Sequence, residues 1–384
     1  MNGPIISTKA PAVRWINWFK MVAIVVVLYA FLISVGLIGA GFKGLGKSFA
    51  ETLISSTAGP LLGLFIGILA TTVIQSSSTT TSLVVGMVAA GTFGDDPRVA
   101  IAMAVPYIMG ANIGTSVTNT IVSLGHIVSK IEFKRAFSAS IIHDFFNIFS
   151  VLVLFPLQLY TGFLGKLAYG LATFLMGTGS FTFKSPIKVI TKPAIHGIEN
   201  LLELQSLVNP HWLTIFVALV LLFLSLRYLT KLIRSLVISR LEAFFDTHIF
   251  KTAGRALLFG VFITVLVQSS SITTSLVIPL AGAGILTLRQ IFPYTLGANI
   301  GTTITALLAS LVSATLAPVA VALSHLLFNI LGIIVIWPIP QVRVIPLRLA
   351  EWFSGLAIRN RIIPIIYIIV LFYIVPLTLI FIVR

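Results

Sequence analysis

The chain contains no cysteine. That excludes disulfides, thiolate metal sites and a cysteine nucleophile. It is also poor in charge. Only 9% of its 384 residues are Asp, Glu, Lys or Arg, and only 10 are acidic. A soluble globular domain carries about 25% charged residues, so a soluble fold of this size is excluded. Carboxylates are especially scarce where the chain repeats itself. Asp95, Asp96, Glu132 and Asp144 lie in the first copy and none lies in the second. A paired-carboxylate proton relay is therefore not expected. The serine-rich segments described below lack a Gly-x-Ser-x-Gly elbow, which argues against an intramembrane hydrolase, and no enzymatic activity is expected.

What the chain has is apolar length. It is 58% hydrophobic, in long continuous runs such as Met21 to Ala40, Trp212 to Leu226 and Ile362 to Val383. Continuous runs of this length predict spanning helices, because only helices and closed barrels satisfy their backbone in lipid and barrel strands alternate. The net charge of +15 comes from Lys and Arg between the apolar runs, without aromatic interleaving. This predicts cytoplasmic loops on a lipid bilayer, not a nucleic-acid surface.

One polar stretch stands out in this apolar background: Gln75-Ser76-Ser77-Ser78-Thr79-Thr80-Thr81-Ser82. It recurs as Gln268-Ser269-Ser270-Ser271-Ile272-Thr273-Thr274-Ser275, with seven of eight positions identical. Two further motifs recur in the same order. Gly110-Ala111-Asn112-Ile113-Gly114-Thr115 matches Gly297-Ala298-Asn299-Ile300-Gly301-Thr302, and His143 with Asn147 matches His325 with Asn329. The offsets are 193, 187 and 182 positions, so the chain reads as an internal duplication with small loop deletions.

Charge gives the relative orientation. The connection Lys130 to Arg135 is basic, and its counterpart near Ser313 to Pro318 is uncharged. The approach to the first copy is uncharged, and the approach to the second carries Arg227, Lys231, Arg234, Arg240, Lys251 and Arg255. The expected fold is thus an all-α polytopic membrane protein with two inverted-topology repeats and re-entrant or broken helices, the pattern of secondary transporters.

The expected organisation is an N-terminal anchor helix in 1–52, with Trp15 and Trp18 at the interface, and a first repeat in 53–157. An extracellular-side connector in 158–210 follows, then a spanning helix with a basic surface helix (229–250) in 211–252. The second repeat is 253–338, and 339–384 holds an interfacial segment and the last span. Residues 61–74 and Leu83 to Ala90 are each too short to cross. A polar break between them is allowed only where it lines a cavity. The glycines of the Gly-Ala-Asn-Ile-Gly-Thr motifs mark a second expected interruption.

Ser76 to Ser82 is rich in N-cap residues. A half-helix starting there aims free N–H groups and its positive end into the cavity, which makes an anion site. Two such ends offer up to six serine hydroxyls, a donor array suited to a tetrahedral oxyanion. Gln75, Gln268, Asn112, Asn299, Thr115 and Thr302 supply neutral oxygens that suit Na+. Taken singly, such a cluster reads as glue between helices; the ordered duplication favours a site. His143 and His325 read as structural hydrogen-bonding groups. Asp144, opposite Leu326 in the second copy, reads as an orienting group or a cap near the cytoplasmic end. Asp95 and Asp96 read as a solvated turn.

Together these residues resemble the type II sodium-dependent phosphate cotransporter family. The likeness rests on the paired Gln-Ser-Ser-Ser segments, Gly110 to Thr120, and Phe133-Lys134-Arg135-Ala136-Phe137 leading to His143-Asp144-Phe145-Phe146-Asn147. Ile187 to Pro193 adds to it by resembling the start of that family's extracellular connector. The likeness spans roughly 53–338. It implies uptake of inorganic phosphate across the cytoplasmic membrane, with Na+ as the coupling ion and no organic cofactor. It implies phosphate at Ser76, Ser77, Ser78, Ser269, Ser270, Ser271, Gln75 and Gln268. Sodium is implied at Gln75, Gln268, Ser269, Asn112, Thr115, Asn299 and Thr302. The short, cysteine-free connector fits a bacterial form. Electrogenic members carry an aspartate shortly before the Phe-Lys-Arg-Ala-Phe stretch. Ser129 stands there in this chain, which implies electroneutral transport. Transport of another oxyanion such as sulfate, an anion channel, and a phosphate-responsive signalling protein are the alternatives.

Overall fold

The computed structural model describes residues 11–45, 59–177, 186–204, 208–241, 249–313 and 315–383. Among the described residues there is no strand, and seven helices are long and apolar enough to cross a membrane. The chain is an all-α, multi-pass membrane protein.

Helix α1 (Pro11–Gly44) packs along α9 (Pro210–Leu241). Between them in sequence, α2 (Pro60–Ile74) and α3 (Ser77–Ala89) form a hairpin too short to cross. Phe93 at the far end of α3 and Gly63 near the start of α2 both meet Tyr107, which fixes the reversal. Helix α4 (Pro97–Ile113) runs through a 3-10 turn, Gly114–Ser116, into α5 (Val117–Ser123). Helix α6 (Lys130–Thr161) follows.

The second set is α10 (Ala253–Val267), α11 (Ser270–Ser275) with α12 (Val277–Gly282), α13 (Leu288–Ser313) and α14 (Leu316–Ile336). A short amphipathic helix follows each set. Helix α7 (Phe163–Met176) packs on α14, and α15 (Pro340–Arg359) packs on α6, so each set is braced by the other's tail. Helix α8 (Pro186–Glu203) lies against α1, where Tyr29 Oη donates to Ile190 O at 3.0 Å. The last span comprises α16 (Ile363–Ile369), a π turn (Val370–Ile374) and α17 (Val375–Val383).

The two sets share one packing device. Helices α2 and α4 approach so closely that a Cβ on Gly67 would lie 2.2 Å from Tyr107 O, and one on Gly110 would lie 2.0 Å from Leu64 O. In the second set the same distances are 2.1 Å from Gly260 to Tyr294 O and 2.0 Å from Gly297 to Leu257 O. Small residues that let backbones touch are the usual contact between helices in lipid.

This corrects one expectation. The Gly-Ala-Asn-Ile-Gly-Thr motifs are not breaks. The first tightens to a single 3-10 turn, and the second lies within the uninterrupted α13. The glycines serve close approach, not unwinding. A second difference concerns 229–250. Helix α9 continues unbroken to Leu241, so no separate surface helix starts at 229; 242–248 lie outside the described residues. Helix α7, with 14 residues, is too short to cross.

Gly41 to Ser48 spells G-x-x-x-x-G-K-S, the letters of a phosphate-binding loop. Such a loop must follow a strand. Gly41 to Gly44 instead close the spanning helix α1, and Leu45 N–H still bonds Gly41 O at 3.2 Å.

Basic residues collect at one end. Lys130, Lys134 and Arg135 open α6, and Arg135 lies against Gly284 just after α12. Helix α15, carrying Arg343, Arg348 and Arg359, docks on α6 with the Ser138 and Ser354 hydroxyls 2.6 Å apart. Arg361 donates to Val128 O at 3.5 Å. At the opposite end, Asp96 caps α4 by accepting from Arg98 N–H at 2.8 Å.

Candidate functional site between two helical hairpins

Both hairpins turn on a glutamine. Gln75 and Gln268 have φ of 59° and 56°, and they alone among described non-glycine residues have positive φ. A side chain in this region costs about 1–2 kcal/mol, and backbone strain of this kind gathers at functional sites. Each glutamine offsets the cost locally. Its amide nitrogen donates back to a helix-end carbonyl, Thr72 O for Gln75 and Val265 O (2.6 Å) for Gln268. Its amide oxygen accepts from a threonine on a neighbouring helix: Thr118 at 2.9 Å and Thr305 at 2.7 Å. A second acceptor position remains on each oxygen.

The next residue caps the returning helix. Ser76 Oγ accepts from Thr79 N–H at 3.2 Å, and Ser269 Oγ accepts from Ile272 N–H at 3.4 Å. The polar run is therefore not itself the break. The break is Gln-Ser, and the rest of the run is the first turns of a helix, whose earliest amides have no intrahelical partner.

The two turns face each other across a cavity of about 540 Å³. Its wall includes Gln75, Ser76, Ser78 and Thr79 from one hairpin and Gln268, Ser269, Ser271 and Ile272 from the other. Ser78 Oγ lies 3.5 Å from Gln268 O and 3.2 Å from Thr302 Oγ1. In the reciprocal contact, Ser271 Oγ donates to Thr115 O at 3.2 Å. Six of the expected site residues thus share the wall: Gln75, Ser76, Ser78, Gln268, Ser269 and Ser271. Thr115 and Thr302 stand immediately behind it, held to the wall serines. Ser77 and Ser270 are buried off the wall, and Ser270 Oγ has no partner among the described residues.

Asn112 and Asn299 belong to a buried layer whose members are at most 2% exposed. The bonds cross between halves. His143 Nε2 pairs with Asn299 Oδ1, and His325 Nε2 pairs with Asn112 Oδ1 at 3.3 Å. Within each half, Asn147 donates to Asn112 O at 2.8 Å and Asn329 donates to Asn299 O at 3.1 Å. Both histidines thus act as hydrogen-bonding groups. Asp144 is fully buried in mid-helix, away from the basic end of α6 where a cap was expected. Its Oδ2 accepts from Tyr367 Oη at 2.7 Å, and its Oδ1 has no partner among the described residues. Ser129 caps α6 by accepting from Glu132 N–H at 3.4 Å.

Three parts of this arrangement are not announced by the sequence. Thr118 and Thr305 clamp the glutamines. Tyr367 reaches Asp144 from 223 positions away. Arg227 and Lys231, with Phe223 and Leu226, supply the third wall of the cavity from α9. Only the last had a local signal, because 223, 226, 227 and 231 fall on one helical stripe.

A family model described as Na+/Pi-cotransporter matches residues 30–182 and 221–339. The chain is similar to "Sodium-dependent phosphate transport protein 2B" of Homo sapiens, at 32% identity over 457 residues, covering 94% of this chain and 64% of that protein. It is also similar to the protein of the same name from Bos taurus (33% over 458 residues, 93% and 64%). "Sodium-dependent phosphate transport protein 2A" of Rattus norvegicus is 31% identical over 422 residues, with 91% and 65% covered. The chain therefore spans about 64% of the length of the first of these relatives. No solved structure matches it.

Proposed function

From the membership of this chain in the Na+/Pi-cotransporter family, we propose that it is a sodium-coupled symporter that takes up inorganic phosphate across the cytoplasmic membrane. The observation that carries the reading is the facing pair of Gln-Ser-Ser-Ser turns on one cavity, each with a left-handed glutamine clamped by a threonine. Phosphate is assigned to the space between Ser76, Ser78, Ser269 and Ser271, with hydroxyls and first-turn amides as donors. The remaining serines, Ser77 and Ser270, lie buried behind this wall. Sodium is assigned to the glutamine oxygens, with Ser269, Thr115, Thr302, Asn112 and Asn299 around them.

The two sets of helices are read as inverted repeats that rock against each other in alternating access. Sodium binding draws the glutamine and threonine oxygens together and lowers the negative potential that an arriving anion meets. By linkage, phosphate raises sodium affinity by the same factor. The buried histidine–asparagine layer couples the halves, since each half's asparagine is held by the other's histidine.

The test is uptake of radiolabelled phosphate into proteoliposomes with Na+ replaced by K+ and with sulfate as competitor. Saturable uptake that needs Na+ and resists sulfate is the expected result. Sodium-independent conductance would instead make the protein a channel, and sulfate competition would reassign the substrate.

A further inference from the structure

The hairpin walls of the cavity carry no formal charge, yet the proposed substrate is an anion. The charge comes from the third wall. Arg227 and Lys231 lie one helical turn apart on α9 and line the same cavity as Gln75, Ser78, Gln268 and Ser271. Phe223 and Leu226 continue that stripe. Among the described residues, no acidic side chain pairs with either cation.

As sequence, these two residues look like ordinary cytoplasmic loop charges. Two observations go beyond that role. They sit on a helix that continues unbroken to Leu241, not in a loop. Their side chains line the cavity between the two hairpins. The basic end of the molecule gives the direction. The start of α9 lies beside Gly41 and Gly44 at the end of α1, and Gly36 of α1 lies by Val312 at the end of α13, so α9 runs toward the end where α13 begins and Arg135 lies against Gly284. A cleft lined by one sign of charge between apolar walls focuses the field and concentrates the counter-ion.

We propose that Arg227 and Lys231 form a cationic vestibule on the cytoplasmic side of the cradle, through which phosphate leaves. They hold the anion by charge where the serines hold it by hydrogen bonds. This rests on the phosphate reading. It adds that affinity on the cytoplasmic side is electrostatic, hence sensitive to ionic strength, and that α9 is part of the transport path.

The absence of cysteine makes the test direct, because an introduced thiol is the only one in the chain. Equilibrium binding of radiolabelled inorganic phosphate to the purified full-length protein in saturating Na+ is the readout. The double variant Arg227→Gln, Lys231→Gln is expected to bind about tenfold more weakly, the size of one or two partly exposed charge contacts. Arg227→Lys with Lys231→Arg is expected to match the wild type. On folded Arg227→Cys protein, a methanethiosulfonate reagent that adds an ethylammonium group should restore affinity. One that adds an ethylsulfonate group should lower it further, and phosphate with Na+ should slow both modifications. Equal effects of the two reagents, or unchanged binding in the double glutamine variant, would overturn the proposal. If wild-type protein binds sulfate in place of phosphate, the substrate assignment fails separately. The same charge series, read with sulfate, then decides the vestibule.

Discussion

Gln75 and Gln268 are built alike and surrounded differently. Both take the left-handed conformation, both return their amide to the helix they end, and both are clamped by a threonine 187 positions apart from its twin. Around them the halves diverge. Thr79 adds a hydroxyl on Ser76 at 2.9 Å where Ile272 stands opposite. Asn119 reaches Thr274 at 2.7 Å, and its counterpart Ala306 makes no such bond. Asn299 donates to Asn147 of the other half at 2.8 Å, but Asn112 donates to Ile108 O of its own helix. Asp144 in the first half faces Tyr367, and Leu326 holds its place in the second. What the halves share is the shape of the cradle. What they do not share falls on hydroxyls, amides and one carboxylate, the groups that bind cations. Under the proposed function, the shared cradle makes the anion site two-sided, and the unshared groups weight the ion sites toward one half.

The largest expected effect tests the shared scaffold. Gly67→Val and Gly260→Val each push a side chain into a backbone carbonyl about 2 Å away. Overpacking of this kind costs roughly 1–3 kcal/mol or more. Both variants should lose monodisperse protein on size-exclusion chromatography, to a similar extent. A half that tolerates valine would break the equivalence.

Next come the wall serines. Ser78→Ala and Ser271→Ala remove one donor each and should weaken sodium-dependent phosphate uptake by about ten- to thirtyfold in apparent affinity, from ~1.5–2 kcal/mol, the lower part of the range for a hydrogen bond to a charged group. Ser78 should be the more sensitive, because it also touches Thr302. Uptake kinetics over a phosphate series would show it. A loss confined to one serine would leave the anion site one-sided.

A smaller effect is expected in the buried layer. His143→Leu and His325→Leu each strand an asparagine oxygen. A hydrogen bond between helices in lipid is worth about 0.6–2 kcal/mol. Each variant should lower thermal stability by that order in a fluorescence melt. Both should also raise the Na+ concentration for half-maximal uptake. A stability loss without any change in Na+ dependence would make the layer structural only.

The smallest effect should come from Thr79→Ile, which copies the second half into the first. Phosphate affinity should change by less than about threefold, since the Ser76 cap on Thr79 N–H survives. A large loss would show that the extra hydroxyl is a ligand and not a difference of detail.

Much of this molecule was legible in the sequence, because duplicated side-chain identities survive in the letters. The Gln-Ser-Ser-Ser, Gly-Ala-Asn-Ile-Gly-Thr and His-to-Asn pairs gave the two hairpins, and the segments 61–74 and 83–90 were visibly too short to cross. The rest depended on distance. A glycine that permits close contact and a glycine that permits unwinding look the same until the neighbouring backbone is seen, so Gly110 and Gly297 were misread as breaks. Nothing near Gln75 announces that Thr118 will hold it, nor does Asp144 announce Tyr367. Arg227 and Lys231 were hidden by a sufficient alternative, since membrane topology alone accounts for basic residues there. The point where a span ends and a surface helix begins also has no local mark in an apolar, basic stretch like 211–241.

In the proposed mechanism one anion is bound by both glutamine turns. The most direct measurement is sodium-dependent uptake of radiolabelled phosphate into proteoliposomes by Gln75→Ala and Gln268→Ala protein, alongside wild type, with folding checked by size-exclusion chromatography. Saturable uptake by the wild type and none above the K+ background in either folded variant is the predicted result. Wild-type-like uptake in either variant would contradict the two-sided site.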